Sequence, residues 1–405
     1  MTDDQREAMR RILDEALARV NPYDMITTSV TLDGSMLNID TETLHDSVDL
    51  DTFERVIVIG AGKAGAPMAR ALEDILGDRI SNGVVSVKEG HTEPLSRVRL
   101  IEAGHPVPND RSVDAGREIL RLAEAADRAT LVLCVISGGG SALLEAPLAV
   151  EVEGSGIQLT LEEIQETTRT MLDSGAPIQE INTIRKHLSA IKGGRLAQAL
   201  EPAHSISLIL SDVVGDDLDA IASGLTVPDR STFGAAAGLV EHYQVGSRLP
   251  PAVRRILDAG AAGTLEETPK PGAAAFQLVQ NVLVGTNYQA LLAAAGAATA
   301  LGYETLILTS RLQGEARDAA RFIASIVAES RLHEHPVAPP ACILCGGETT
   351  VTIRGEGTGG RNQELALTML EEMRVYPELF ENVAFLSAAT DGTDEPTDAA
   401  GAFAS

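Results

Sequence analysis

The chain of 405 residues contains no apolar run near the ~18 residues that a membrane-spanning helix needs. Its opening, MTDDQREAMRRILDEALARV, lacks the basic start and apolar centre of a secretory leader. Met9, Ile12, Leu13, Ala16, Leu17 and Val20 fall at helical spacing instead, which predicts an amphipathic helix. Cysteine is scarce: Cys134, Cys342 and Cys345 are the whole complement. An odd count without a leader argues against a disulfide framework and for the cytoplasm. Cys342 and Cys345 form a CxxC, but ACILCGG reads as an apolar strand entering a glycine turn, and no second pair completes a zinc site. Positive charge is also short. Against 58 acidic residues stand 32 basic ones, a net charge of -26. Nucleic acid and anionic membrane both require a basic face, so neither is an expected partner.

Lysine is rarer still, with Lys63, Lys88, Lys186, Lys192 and Lys270 the full set. An acidic, lysine-poor surface resembles that of proteins from salt-loving archaea; a GC-rich genome gives the same bias toward arginine. The 37 glycines and 18 prolines exclude collagen-like or broadly disordered classes. Hydrophobic residues make up 44%, enough for sizeable cores, and the length suits two or three domains.

The hydrophobic pattern alternates short β-branched runs with helical spacing. Strands are predicted at Arg55–Gly60, Gly83–Val87, Val98–Ile101, Leu131–Ile136 and Ser205–Leu210. Helices are predicted at Lys63–Leu76, Ser112–Ala126, Thr160–Ser174, Glu180–Leu200 and within Ser231–Ala259. Alternation of this kind indicates a doubly wound, Rossmann-like parallel sheet. The segment Gly260–Gly272, crowded with Gly, Thr and Pro, is the predicted linker. Beyond it come strands at Val282–Val284, Glu304–Leu308, Ala341–Leu344, Thr349–Arg354 and Val383–Ala388. Helices are predicted among them at Tyr288–Ala300, Glu315–Ser330 and Asn362–Arg374, and the three prolines of His333–Pro340 mark a second break. The expected fold class is therefore α/β with two domains. An N-terminal one spans 1–265, and a smaller C-terminal α/β one spans 275–405. The sequence contains no internal repeats.

Five turns carry the candidate chemistry. GAGKAG fits the dinucleotide fingerprint through Gly60, Gly62 and Gly65, with Lys63 adding positive charge at a helix start. SGGGSA (Ser137, Gly138, Gly139, Gly140, Ser141, Ala142) joins a strand to a helix; consecutive glycines are costly in entropy and are useful where N–H groups face an anion. No segment fits the Walker pattern GxxxxGK[ST]. Asp212, in SDVVGDD, follows a buried strand, where open parallel sheets bind ligands and where a carboxylate can hold Mg²⁺ or orient a hydroxyl. Asp216, Asp217 and Asp219 read as solvated loop charges. GTGGRNQELAL places Arg361 at a helix start, suited to bidentate contact with phosphate or carboxylate. Asp391, in ATDGTDEPTD, again follows a buried strand and is a second candidate metal ligand or base. Positioned phosphates, a metal, a Lys or Arg on the transferring group and an acid for the nucleophile are the inventory of phosphoryl transfer. No nucleophile elbow and no HExxH cluster is present; His105 and His187 are the two histidines in motif-like turns.

In these segments the chain resembles the glycerate 2-kinase family, whose C-terminal part is called the MOFRL domain. The resemblance rests on IGAGKAG, EAGHPVPN, ISGGGSALLEAP, INTIRKHLSAIKGGRLA, LILSDVVGDD, IASGLTVPD, LVGTN, CGGETTVTIRGEGTGGRNQELAL and ATDGTDEPTDAAGA, from about residue 56 onward. It implies ATP and Mg²⁺ as cofactors, glycerate as acceptor and 2-phosphoglycerate as product. It also implies an active site in the cleft between two α/β domains. Carried over by position, Lys63 meets glycerate or the transferred phosphoryl. Ser137–Ser141 takes nucleotide phosphates. Asp212 and Asp391 share the metal and base roles. Arg361, with Asn362 beside it, clamps the glycerate carboxylate or the phosphoryl. Gly346, Gly347, Glu348 and Thr349 shape the C-terminal side of the nucleotide site.

The chain departs from the family pattern in three places. Leu225 stands where IASGPT has proline, Cys345 stands where a small residue is usual, and the sequence stops at Ser405 before the family's customary last segment, which predicts an exposed sheet edge. Homodimeric assembly is compatible with the sequence without being dictated by it. Two other functions compete. GAGKAG alone suits an NAD(P)H-dependent hydroxypyruvate reductase, for which the end of the second strand, Lys88-Glu89, is an ambiguous ribose site. The third is a non-catalytic nucleotide-binding regulator.

Overall fold

The protein is described here by a computed structural model covering residues 2–355, 357–394 and 396–405. Glu356 and Glu395, which fall inside two of the motifs above, lie outside the described residues. The chain divides into two compact units, Pro22–Val284 and a second made of Met1–Asn21 with Gly285–Ser405.

Helix α1 (Asp3–Arg19) opens the chain behind a capping box. The Thr2 hydroxyl accepts from the Gln5 N–H, and the Gln5 side chain accepts from the Thr2 N–H. Its Ile12 is buried against Ala294 and Ala298, with Cys342 and Leu344 alongside. This apolar contact assigns the N-terminal helix to the C-terminal unit, which the linear order of the sequence does not suggest.

The larger unit starts with α2 (Pro22–Ser29) and a three-stranded antiparallel sheet, β1 (Val30–Asp33), β2 (Met36–Asp40) and β3 (His45–Asp49). The periodicity reading has no element here. Its signal is the Asp33-Gly34 pair, a hairpin turn in which Gly34 takes φ +62°. Then follow β4 (Arg55–Ala61), α3 (Gly65–Leu76), β5 (Ile80–Lys88), β6 (Val98–Ala103), α4 (Asp110–Glu124), β7 (Thr130–Ile136) and the short α5 (Gly140–Leu143). A second unpredicted hairpin, β8 (Ala149–Val152) and β9 (Ser155–Gln158), turns through Glu153 and Gly154, both at positive φ. After α6 (Leu161–Asp173), the helix expected over Glu180–Leu200 is two helices, α7 (Ile178–His187) and α8 (Arg195–Leu200). The first ends at His187, residues 188–194 are non-helical, and Gly193 and Gly194, at φ +60° and +82° in the left-handed region that other residues avoid, lead into the second. The unit closes with β10 (His204–Leu210), α9 (Phe233–His242), α10 (Pro251–Ala261) and β11 (Val279–Gly285).

Six strands form one sheet in the order β11-β10-β7-β4-β5-β6, and its ladders from β10 to β6 are parallel. From the central β4 the chain builds outward through β5 and β6, then returns to β7 on the other side. Ile57, Ile59, Val132, Cys134 and Val84 bury one face against Ala115, Ile119, Leu196 and Leu200 of α4 and α8. Val85 and Val87, on the opposite parity of β5, meet α3 at Gly65. The sheet is thus doubly wound, as its runs predict. A second apolar cluster joins Leu159, Met171, Ile181 and Ile184 to Phe233, Val253 and Ile256, tying α6 and α7 to α9 and α10.

The expected break at 260–272 lies inside this unit, not at its border. Asn281 exchanges hydrogen bonds with Thr226 (2.7 and 3.1 Å), and the Asp229 N–H donates to the Pro269 carbonyl (3.0 Å). These bonds keep residues 266–284 with the first sheet.

The smaller unit continues with α11 (Asn287–Ala300), β12 (Glu304–Glu315), α12 (Ala316–His333), β13 (Ala341–Thr350), α13 (Arg361–Val375), β14 (Phe385–Ala388) and β15 (Gly401–Ala404). Strands β12 and β13 pair in parallel, and β14 pairs antiparallel with β15. The strand expected at Thr349–Arg354 does not form. The preceding strand runs unbroken to Thr350 along β12, and residues 351–354 are irregular. The two cysteines of the CxxC are three apart on β13 and so face opposite sides. Cys342 packs toward α1 and α11, and Cys345 toward the cluster of Met369 and Phe380. Burial pushes both thiols up to about 11, as befits apolar side chains. No described helix is long and apolar enough to cross a membrane.

Candidate active site

In the larger unit the C-terminal ends of β4, β7 and β10 lie side by side, and three of the predicted turns leave from them. Strand order reverses between β4 and β7, and in open α/β sheets such a point opens a ligand crevice. The first turn does not serve as the anion nest that its glycines suggest. Its Gly62 N–H donates to the Ser86 carbonyl (3.0 Å), Lys63 N–H to Gly138 (2.9 Å), Ala64 N–H to Ser137 Oγ (3.1 Å) and Gly65 N–H to Gly62 (3.0 Å). All four groups are satisfied inside the fold. The glycines serve close packing: a Cβ at Gly62 (φ +147°) would collide with Ser137, and one at Gly60 with the Val135 backbone. What this turn offers a ligand is the half-buried side chain of Lys63.

The second turn is the meeting point. A Cβ at Gly138 would strike the Asp212 carboxylate, which reaches over from the end of β10. A Cβ at Gly139 (φ +79°) would sit 3.0 Å from the His105 ring and 3.2 Å from the Lys63 side chain. Lys63, His105 and Asp212 therefore gather around Gly138 and Gly139, where only glycine leaves room. The loop itself is a tight turn, its Gly140 N–H on the Ser137 carbonyl (3.3 Å) and its Ala142 N–H on Gly139 (3.0 Å).

This loop is held from behind by residues that the sequence reading missed. Ser141 Oγ lies 2.7 Å from Ser223 Oγ, and the Ser141 carbonyl accepts from Arg185 Nη2 at 3.0 Å. Ser223 belongs to a buried turn in which Ala222, Ser223 and Gly224 all have positive φ (49°, 58°, 65°). Two non-glycine residues in that region are strained, and such strain concentrates at functional sites. Leu225, in place of the family's proline, is 1% exposed and fills the main core.

Two buried ionic clusters support the same region. Lys192 and Glu145 pair with almost no exposure. Lys186 pairs with Asp219 and lies 3.5 Å from Asp229. Asp219 is therefore a structural partner and not the freely solvated charge expected. Burial opposes ionisation of Asp229, but Lys186 and the Ser231 and Thr268 donors outweigh it and lower its pKa. His187 is fully buried, 2.7 Å from the Thr183 carbonyl and edge-on to Phe233; burial lowers its pKa despite two nearby carboxylates. These clusters are invisible in linear sequence because their partners are 33 to 80 residues apart.

In the smaller unit the predicted residues gather at the start of α13. Arg361 is ion-paired with Glu348 at 2.7 Å, both half exposed. Gly346 and Gly347 are close-packing positions, against Asn287 and the Leu312 backbone respectively. Thr349 is buried, and Asp391 is exposed on the turn after β14. Asn362, expected beside a substrate, has its amide engaged within the unit: it donates to Asp394 (3.1 Å) and accepts from Ser387 (2.6 Å). Asp394, which the sequence reading passed over, caps α13 by accepting from the N–H groups of Asn362 (3.0 Å) and Gln363 (2.9 Å). The capping residue here is 32 positions away in sequence, so no local pattern reveals it.

The doubly wound sheet, with lysine and aspartate converging on a glycine turn at its switch point, defines an α/β protein with a candidate ligand site there. Residues 8–258 match the family described as a domain of unknown function (DUF4147), and residues 341–405 match the MOFRL family. A glycerate 2-kinase of Pyrococcus horikoshii is 42% identical over 399 residues, 98% of this chain and 85% of that protein. A D-glycerate 2-kinase of Thermotoga maritima is 44% identical over 350 residues, 86% of this chain and 78% of that protein. The crystal structure of a glycerate kinase from Thermotoga maritima superposes with a TM-score of 0.81 at 38% identity, covering 100% of this chain and 87% of that one. The chain belongs to the glycerate 2-kinase family.

Proposed function

We propose that this protein is an ATP-dependent D-glycerate 2-kinase of the cytoplasm, moving the γ-phosphoryl of ATP to the 2-hydroxyl of D-glycerate. The observation that carries this reading is the gathering of Lys63 and Asp212 around Gly138 and Gly139, in a chain of this family. Lys63 supplies positive charge to the transferring phosphoryl, where preorganised charge is worth most. The Ser137–Ser141 turn seats nucleotide phosphates, and in the smaller unit Gly346, Gly347, Glu348 and Thr349 are proposed as nucleotide-binding residues. Asp212 and Asp391 divide the tasks of metal ligand and of base for the attacking hydroxyl. Arg361, released from Glu348, binds the glycerate carboxylate, and Asn362 orients it by anchoring the first turn of α13. The described residues hold no cluster of three or more His, Cys, Asp or Glu fit for a metal ion. Mg²⁺ characteristically takes one or two carboxylates plus phosphate oxygens, so it would arrive with nucleotide. Asp212 in the larger unit and Asp391 in the smaller are each proposed as a carboxylate for it, and it would neutralise charge on the phosphates.

The reductase reading is not favoured. The N–H groups of its fingerprint turn are consumed internally, leaving no cradle for a pyrophosphate at Gly62–Gly65. The deciding experiment is glycerate-dependent ADP release with ATP and Mg²⁺, with the product identified. Formation of 2-phosphoglycerate is expected; ADP release that ignores glycerate, or NADH oxidation by hydroxypyruvate, would overturn the proposal. In the same assay Lys63→Ala and Asp391→Asn should each lose roughly a hundredfold in kcat, the loss of one electrostatic or acid–base contribution. Their melting temperatures should match the parent, and a variant with full turnover has no part in the chemistry.

A further inference from the structure

Behind the Ser137–Ser141 turn lies a cationic side chain that the proposed chemistry has not used. Arg185 sits on α7, largely buried. Its Nη2 donates to the Ser141 carbonyl at 3.0 Å, and Nη1 reaches the Asn182 side chain at 3.4 Å. Its Nε is shut off from solvent and meets no acceptor among the described residues. The carboxylate whose charge acts on it, Glu145, is already the partner of buried Lys192. The three groups together leave one positive charge uncompensated. A guanidinium cannot shed its proton to escape this cost. Buried cations are ordinarily paired because desolvation is expensive. Glu145 thus faces two buried cations, and the neighbouring turn is expected to receive an anion.

We propose that Arg185 is a positioning residue that also supplies the field for the ligand anion at the Ser137–Ser141 turn. It fixes the turn through the Ser141 carbonyl, and its unbalanced charge is neutralised when an anionic group arrives. This inference rests on the reading that the turn binds an anion of a substrate. The shared chemistry is an oxyanion, either the phosphates of the nucleotide or the carboxylate of glycerate.

Two variants separate charge from geometry. Arg185→Gln keeps a donor for the Ser141 carbonyl and loses the charge; Arg185→Lys keeps the charge. The full-length protein is melted alone, with ADP, with ATP and Mg²⁺, and with D-glycerate, and KM is measured for each substrate. Arg185→Gln should melt no lower than the parent without ligand. It should lose most of the ligand-induced shift for one anion and show at least a tenfold rise in the corresponding KM. Arg185→Lys should recover that KM to within about threefold. The substrate whose KM responds identifies the anion at the turn. Equal ligand shifts in Arg185→Gln and parent, or a lowered melt with unchanged KM, would reduce Arg185 to a structural role and overturn the inference. Arg185→Lys as impaired as Arg185→Gln would overturn it as well. A parent that shows no shift with any of the three ligands instead removes the anion-binding reading beneath it.

Discussion

Lys192 shows how a single buried group links this fold to pH. Burial drives its pKa down to about 8, with Glu145 opposing and Arg185 reinforcing the fall. In the unfolded chain it titrates near 10.5. Between about 8 and 10.5 the unfolded state therefore holds a proton that the folded state has released, so this residue's contribution to stability rises with pH in that window. Below about 8 both states are protonated and the contribution is flat. Lys192→Met removes the rise. Urea unfolding at about pH 7, 8.5 and 10 should show the parent gaining on the variant only across the upper interval; parallel curves would mean that Lys192 titrates normally. No rule of sequence reading points to this residue. The spacing places it inside the predicted helix Glu180–Leu200 without marking it, and its partner Glu145 lies 47 positions away. By contrast Lys63 and Asp212 were legible because each lies in the turn that follows a predicted buried strand. The tertiary structure then brought them to one glycine pair.

At the scale of elements, the glycine turns divide by what surrounds them. A methyl at Gly60 would run into the carbonyl oxygen of Val135 on the neighbouring strand, where nothing can yield without separating the sheet. Gly60→Ala should cost about 1–3 kcal/mol and lower the melting temperature, which thermal denaturation would reveal. A methyl at Gly138 would first meet the tip of the Asp212 side chain and not backbone. Gly138→Ala should therefore fold normally and lose turnover, by roughly the hundredfold expected for displacing an acid–base or metal-binding group. The reverse pattern, a stable active Gly60→Ala, would contradict the sheet packing described above. Sequence reading found both turns, but the backbone N–H groups of the first are bonded within the fold. G-x-G-x-x-G marks close backbone approach equally well when the approaching group is another loop. The helices α7 and α8 were read as one because the apolar spacing continues through residues 188–194, where Ser189 bridges to Pro147 and Gly194, in the left-handed region, starts α8.

For the whole molecule, a net charge of -26 means that carboxylates repel one another across the surface, and salt screens that repulsion within about 10 Å at 0.1 M. The melting temperature should climb as KCl is raised from low to molar concentration; an unchanged or falling melt would show that the acidic surface does not limit stability. The division into units is the feature least legible in one dimension. Residues 260–272 have a linker's composition, yet the boundary falls after Val284, because β11 completes the first sheet and α1 packs into the other unit. The sequence by itself determined the α/β class, the parallel strands and the acids and cations at their ends, since β-branched runs ending in glycine can be buried in few other ways. Only the tertiary structure decided which glycines leave room for Lys63, His105 and Asp212 and which pack against another loop, and how the buried charges Lys186 and Lys192 are paired. Those outcomes depend on contacts between distant residues, and hydrophobic periodicity carries no information about them.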